Sequence, residues 1–385
     1  MTIAHPSDQA IDMVQFQNFI DQNIRPHLRA WKKSGRLPRH LFSDLGKRGW
    51  LGLSVGAGLA HLADCRSRAA LLQRLARLSP GMAISILAHM DLGYAGVHLF
   101  GSDRLRRQYG PDAAAGRTIL CLGNTEGHAG SDAASIRLQA EKTSRGWCLN
   151  GTKSYVTNGA IADYAVITGL TDPEATRNRR HSMFLVDLRS TGVSRRKLNK
   201  QVWIPSDLTR LTFKEVLVPE DHLLGQRGHG LSQVLTVFTH SRVPISALTL
   251  GTAEGAFELA LQRLETRQVF GQPLGRFQAK AFDAADFHAR IEAARLMVVA
   301  ACRAVDQNRP FRQMASMAKY LTVDIARAVS AWAADLFGAA SVMAQHPIHQ
   351  FPLDAWASSL GEGTQDIQKL IIFRELMRSR KEKHL

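Results

Sequence analysis

The chain has 385 residues, 45% of them hydrophobic and only 13 of them proline, which excludes a disordered segment and allows two or three packed layers around a sizeable core. Lysine and arginine number 49 against 33 acidic residues, a formal charge of +16, so an anionic partner is expected, whether a nucleotide cofactor, coenzyme A, an acidic carrier protein or nucleic acid; a merely soluble basic surface is the plain alternative. No uninterrupted apolar run reaches the roughly 18 residues of a membrane span, the first eight residues lack the basic-then-apolar plan of a signal peptide, and Cys65, Cys121, Cys148 and Cys302 have the spacing of buried free thiols in a reducing cytoplasm.

Hydrophobic period divides the chain into an α zone, a β zone and a second α zone. From about residue 9 to 117 the spacing is helical, beginning with Met13, Phe16, Ile20 and Ile24, which recur at threes and fours. Pro38 can start the next helix, with Leu41, Leu45 and Leu51 on its apolar side, and residues 66–78 and 80–98 continue the pattern. From 118 to 225 short apolar or alternating runs take over, at 118–124, 147–156, 164–170, 183–188 and 211–218. Gly, Asn, Asp and Pro clusters separate them, which predicts a β domain of short strands. Helical periods return over 228–268, 275–307, 312–340 and 364–380. Pro244 lies inside the first of these, so a kink or an earlier start is expected there. The domains are therefore drawn at 1–117, 118–225 and 226–385.

Two distant segments carry the chemistry. Gly361-Glu362-Gly363-Thr364-Gln365-Asp366-Ile367-Gln368 puts a carboxylate between two glycines at the start of an apolar helix. Alone, it reads as a helix-start glutamate favoured by the N-terminal dipole. Thr125-Glu126-Gly127-His128-Ala129-Gly130-Ser131-Asp132 follows the strand-like run Thr118–Leu122, and Asn150-Gly151-Thr152-Lys153-Ser154-Tyr155-Val156-Thr157-Asn158-Gly159 comes after it. Arg267-Gln268-Val269-Phe270-Gly271-Gln272-Pro273-Leu274 follows, with Phe277-Gln278 just beyond. In this order and at these spacings the blocks resemble the flavin-dependent acyl-CoA dehydrogenase family over nearly the whole chain.

The resemblance implies an α+β architecture: an N-terminal helical domain, a central β-barrel domain and a C-terminal four-helix bundle, assembled as a homotetramer or dimer. It implies FAD as cofactor and α,β-dehydrogenation of an acyl thioester, either acyl-CoA or acyl-carrier protein. An electron-transfer flavoprotein or another acceptor would take the electrons. Such a reaction needs a base for the α-proton and donors for the thioester oxygen as enolate charge develops. Glu362 matches the family's base. The slot on an earlier helix where some members carry it holds Ser241.

Among the implied cofactor contacts, Leu122, Thr125, Gly130, Ser131, Tyr155 and Thr157 match positions in the β domain. Arg267, Phe270, Leu274 and Gln278 match positions that reach the cofactor of a neighbouring subunit, and Thr364 matches a flavin-contacting threonine. Ser131, Arg242 and Gly361 match positions near the substrate, with a structural ion-pair role the alternative for Arg242. Several residues depart from the family pattern. Gly127 replaces a proline, Gly361 an aromatic whose loss should open or reshape the acyl pocket, and Asp366 a common glutamine. Asp335 stands where a glutamine often meets the adenosine end of FAD, so either the cofactor lies differently or basic neighbours offset that charge.

His346-Pro347-Ile348-His349 lacks the companions of a metal site, and no metal is expected. A flavin monooxygenase or oxidase of the same fold is the alternative enzyme, against which Glu362 argues. A nucleic-acid-binding relative is the alternative from another class; the charge permits it, and no reading motif supports it.

Overall fold

The computed structural model describes residues 12–56 and 58–383; the expectation of no leader at residues 1–8 lies outside them. Asp12 opens the first helix, α1 (Met13–Phe19), by accepting the N–H groups of Val14 at 2.9 Å and Gln15 at 3.1 Å, an N-cap arrangement. The predicted apolar stripe does the burying: Phe16 and Phe19 meet the Trp50 ring edge-on at 5.2 and 5.5 Å. Then come α2 (Leu28–Ser34), α3 (Arg39–Gly46), α4 (Cys65–Leu78), α5 (Pro80–Leu87), α6 (Ala95–Phe100) and α7 (Asp103–Ala114). Between α3 and α4 the helical zone contains an unexpected antiparallel hairpin, β1 (Leu53–Gly56) with β2 (Leu59–Leu62).

Pro80–Phe100 is a helical run of 21 residues with a mean hydropathy of 1.2, long and apolar enough to cross a membrane. Because 78% of its apolar window is buried inside the protein, it is accounted for as a core helix. Its His89 is wholly buried and bridges two elements: Nδ1 accepts the Leu120 N–H at 3.1 Å and Nε2 donates to the Ala113 carbonyl at 3.1 Å. Those two roles require the neutral imidazole.

The β zone forms one eight-stranded sheet from β3 (Leu120–Gly123), β4 (Gln139–Thr143), β5 (Gly146–Thr157), β6 (Tyr164–Leu170), β7 (His181–Asp187), β8 (Val193–Lys197), β9 (Leu208–Val218) and β10 (Leu223–Leu224). The order is β10-β7-β6-β4-β5-β9-β8, with β3 parallel to β6. All five predicted runs are strands. Three were missed: the two-residue β10, and β4 and β8, which read Gln-Ala-Glu-Lys-Thr and Val-Ser-Arg-Arg-Lys. Backbone pairing holds them in the sheet, and they show almost no buried apolar alternation to detect. The long pairing of β5 with β9 slips twice, between Leu149 and Gly151 and between Lys153 and Val156. At Gly151, φ is +143° and an added Cβ would lie 2.9 Å from the Leu138 Cα, so only glycine fits.

The remaining elements are α8 (Gly230–Thr266), a small hairpin of β11 (Gln268–Val269) and β12 (Gln272–Pro273), α9 (Gln278–Asp306), α10 (Arg312–Phe337), α11 (Gln350–Ala357) and α12 (Gln365–Lys383). The helix α8 neither starts at Pro244 nor stops there: it runs unbroken through it. An interior proline costs about 3 kcal/mol, and full burial of Val243, Ile245, Ala247, Leu248 and Leu250 offsets that. The chain divides into two compact units, one of residues 1–68, 84–200 and 204–241, the other of 69–83, 201–203 and 242–385. The first contains the sheet and the second the long helices. All four cysteines are free, and Cys148 is only half-buried.

Candidate active site

In the sheet unit the Thr125–Ser131 segment leaves β3 and folds into a tight turn. Glu126 and Ala129 exchange both backbone hydrogen bonds at 3.1 Å, which places Gly127 and His128 at an exposed tip. The Glu126 side chain anchors it from below. Its Oε1 accepts the Leu138 N–H at 2.9 Å and the Lys153 ammonium at 2.7 Å, and its Oε2 accepts the Arg137 N–H at 2.8 Å. Lys153, from β5, is fully buried and also donates to the Asn124 carbonyl at 3.0 Å. Burial alone would raise the Glu126 pKa, but Lys153 and the two backbone donors hold the carboxyl below its usual range. Burial pushes Lys153 down to about 8, with Glu126 opposing.

The Ser154 N–H ties β5 to the Thr125 carbonyl at 2.8 Å, and the next residue breaks the strand's pattern. Tyr155 has φ +59° inside the second register slip and leaves its ring 62% exposed. Bulges re-aim side chains, and an exposed aromatic in left-handed backbone is a conformation that ordinary strand packing does not produce. Leu122, Thr125 and Thr157 are half-buried, and Gly130 and Ser131 are exposed.

In the helical unit Gly361, Glu362 and Gly363 make a second tight turn, ahead of α12. Glu362 has φ +48° and Gly363 +95°. Side chains from three helices grip the carbonyls of this turn. Arg242 of α8 donates Nε to the Glu362 carbonyl at 3.2 Å. Gln368 of α12 donates to the Glu362 carbonyl at 3.1 Å and to that of Gly363 at 2.9 Å. Lys319 of α10, fully buried, donates Nζ to the carbonyls of Gly361 and Gly363.

The Glu362 carboxylate itself has a buried Oε2 with no hydrogen-bond partner. Burial raises its pKa, with Lys319 and Arg242 opposing. The Arg242 guanidinium, in turn, is lowered by burial to about 10. At Gly361 an added Cβ would fit without clash, in van der Waals contact with the Trp203 ring at 3.7 Å and Ile245 at 3.9 Å. Thr364 follows at the start of α12 and takes the Gln368 N–H on its carbonyl at 3.0 Å. Ser241, in the alternative slot for a base, is buried and bonds the Phe238 carbonyl of its own helix at 3.3 Å.

Glu362, Gly361, Thr364 and Arg242 are thus brought together. Arg267, Phe270, Leu274 and Gln278 form a separate group where α8 gives way to α9. Phe270 and Gly271 are the two central residues of the β11–β12 turn, with φ +48° and +80°. That left-handed pair suits Asn-Gly, yet it holds a phenylalanine 97% exposed. Arg267 is exposed beside it, and its carbonyl takes the Leu274 N–H at 2.8 Å. Asp335 is exposed near the end of α10, where Arg263 donates to the Leu336 carbonyl at 3.2 Å and lies over the Phe337 ring at 5.2 Å. A basic neighbour is therefore present. The His346–His349 segment is a short turn in which His346 accepts the Ile348 N–H, and among the described residues no group of three or more His, Cys, Asp or Glu is placed to hold a metal.

Family models for the N-terminal, middle and C-terminal domains of acyl-CoA dehydrogenase match residues 8–117, 121–216 and 228–377. An acyl-CoA dehydrogenase of Bacillus subtilis is 31% identical over 376 residues, covering 96% of this chain and 98% of its own. The chain belongs to the acyl-CoA dehydrogenase family. A short-chain-specific member from rat mitochondria is 29% identical, covering 94% of this chain and 88% of its own.

Among solved structures, the butyryl-CoA dehydrogenase of Megasphaera elsdenii is similar with a TM-score of 0.90 at 26% identity, covering 97% of this chain and 99% of its own. A chain from a study of the electron transferring flavoprotein of Acidaminococcus fermentans is similar with a TM-score of 0.92 at 26% identity, covering 98% and 100%. Family membership makes the protein an FAD-dependent oxidoreductase acting on CH–CH groups.

The residues present fit such a cofactor. Tyr155 offers an unpacked aromatic face, Gly130 has nothing within 4 Å of an added Cβ, and exposed Arg267 supplies a forked donor for phosphate. Sequence reasoning missed Lys319 and Gln368. Lys319 carried a signal: it shares the buried face of α10 with Ala315, Thr322, Val323 and Ala326, and a lysine on an apolar stripe needs a partner.

Proposed function

We propose that this chain dehydrogenates an acyl-CoA thioester across its α and β carbons, with Glu362 removing the α-proton. The observation that carries the proposal is the state of that carboxylate, set in left-handed backbone with a buried oxygen that no donor satisfies. With one oxygen unsatisfied, burial outweighs the two nearby cations, Lys319 and Arg242, and leaves the carboxyl more basic than a surface glutamate. That suits a group that must take a proton from carbon near neutral pH.

Bound FAD supplies the hydride acceptor for the β-hydrogen. The chain's own residues prepare for it: the Glu126–Lys153 pair fixes the turn bearing Thr125, Gly130 and Ser131, and the bulge presents Tyr155. An added Cβ at Gly361 would already touch Trp203 and Ile245, so glycine there leaves to an acyl chain the volume a side chain would take. The relatives' names support a CoA thioester. The charge of +16 suits coenzyme A phosphates and an acidic carrier protein alike, so both thioesters belong in the assay. Electrons would leave to an electron-transfer flavoprotein. A homo-oligomer would cover Phe270 and the exposed Phe282, Leu296 and Phe373 of the helical unit.

The test is an anaerobic visible titration of the FAD-loaded protein with acyl-CoA and acyl-carrier thioesters, beside Glu362→Gln. Bleaching by an acyl-CoA that slows by about 10²–10⁴-fold in the variant supports the reading. Equal bleaching in the variant overturns Glu362 as base. No bleaching by any thioester, with oxygen consumed on turnover, would favour the oxidase reading.

A further inference from the structure

We infer that Lys319 is a positioning residue for Glu362: its ammonium clamps the Gly361 and Gly363 carbonyls and so fixes the direction in which the intervening carboxylate points. This inference rests on the reading of Glu362 as base.

The geometry is specific. A residue in a left-handed turn needs its backbone groups held from outside, because the conformation is disfavoured for any side chain but glycine. The carbonyls on either side of Glu362 both point to one buried atom, Lys319 Nζ. That atom comes from the middle of α10, 43 residues earlier in the chain, so the clamp ties a loop to a rigid helix. Arg242 and Gln368 hold the Glu362 carbonyl from two other helices. Lys319 alone grips both flanking residues, apart from the Gln368 bond to Gly363.

A second consequence is electrostatic. Lys319 and Arg242 are the two cations that act on the Glu362 carboxyl, and both oppose its burial. Three other charged groups on the packed elements have partners of their own. Asp354 of α11 accepts the Trp203 N–H, Glu375 of α12 pairs with Arg312 at 3.4 Å and Arg378 at 2.9 Å, and Arg312 acts on Arg242. Burial drives Lys319 down to about 7, with Glu362 raising it and Arg242 lowering it further. The clamp survives that titration because a neutral amine still has two N–H donors for two carbonyls. The charge does not survive it, so Glu362 and Lys319 titrate as a pair.

The experiment compares Lys319→Met, close in length and without donor or charge, with wild type and Glu362→Gln, all FAD-loaded. The substrate is the thioester that wild type oxidises fastest. Flavin content and melting temperature establish that each variant is folded; flavin reduction rates from pH 5 to 9 give kcat and KM. For Lys319→Met the expected result is a fall in kcat of about a hundredfold, the cost of roughly 1 Å misplacement. KM should stay within about threefold, and the acid limb of kcat should move up by about one pH unit or more as a neighbouring cation is lost.

A folded, flavin-replete Lys319→Met with unchanged kcat and an unmoved acid limb overturns the inference. A Glu362→Gln that keeps its activity overturns the base reading instead, whatever Lys319→Met does. Should Lys319→Met accumulate without flavin, Lys319→Gln is measured in its place. It keeps an amide NH2 on a shorter side chain and drops the charge, so the same upward move of the acid limb is expected and its absence is equally decisive.

Discussion

Removing the Lys153 ammonium by Lys153→Met leaves the Glu126 carboxylate, 6% exposed, with two backbone donors and no permanent cation, the nearest ionisable group being His128 at 3.7 Å. Breaking a buried pair from one side costs about 3–5 kcal/mol. The reverse change, Glu126→Gln, should cost less, about 1–2 kcal/mol. Lys153 already sits near 8 with its partner present; without it the amine sheds its proton and avoids carrying a buried charge. The double variant buries no charge at all and should cost no more than about 2 kcal/mol, well under the sum of the singles. Urea unfolding followed by tryptophan fluorescence, with FAD in excess, measures all four corners of this cycle. Flavin retained after gel filtration reports the turn that carries Thr125, Gly130 and Ser131, and Lys153→Met should lose it first. Additive single and double costs, or a Lys153→Met within about 0.5 kcal/mol of wild type, would refute the claim that this pair holds the turn.

Gly361→Phe fills the space beside Trp203 and Ile245; kcat/KM for the longest accepted acyl chain should fall by about tenfold or more while that for the shortest is kept, as read from flavin reduction rates. His89 is held neutral, its pKa lowered by burial to about 4 from 6.5. The folded state therefore binds fewer protons than the unfolded one between those values, and stability present above pH 6.5 is lost as pH falls toward 4. At about 1.36 kcal/mol per pH unit that is about 3 kcal/mol, and His89→Gln should flatten the decline of the urea midpoint over that window. Phe270→Asn gives the β11–β12 turn a residue that favours its backbone. Thermal stability should hold or rise, whereas flavin retention on dilution should fall if the exposed ring meets a second copy, as gel filtration with absorbance detection would show.

The fold was legible where burial follows a period. Phe16 and Ile20 marked a helix stripe, and the five apolar runs between 118 and 218 all became strands. Missed were elements defined by backbone partners: β4 and β8 pair with neighbours while exposing polar side chains, and the β1–β2 hairpin interrupts a helical zone. Pro244 stays inside a continuous helix because the residues on both sides of it are buried. At the candidate site the one-letter motifs named the side chains proposed to act, and the left-handed conformations of Tyr155, Phe270 and Glu362 were invisible because no glycine or asparagine occupies those positions. Lys319 and Gln368 escaped for another reason: they act on carbonyl oxygens, which every residue possesses and no sequence distinguishes.

Glu362 occupies a backbone that would accept glycine more readily, and its two neighbours already are glycine. Left-handed backbone costs an ordinary residue on the order of 1 kcal/mol or more, so the fold and the chemistry make opposed demands on one codon. Selection for heat tolerance alone would reward Glu362→Gly, relaxing the turn and, on the proposed reading, erasing the base in a single step. On the reading of Glu362 as base, glutamate at this strained position sacrifices stability for turnover, and the most relaxed form of the turn is an inactive one.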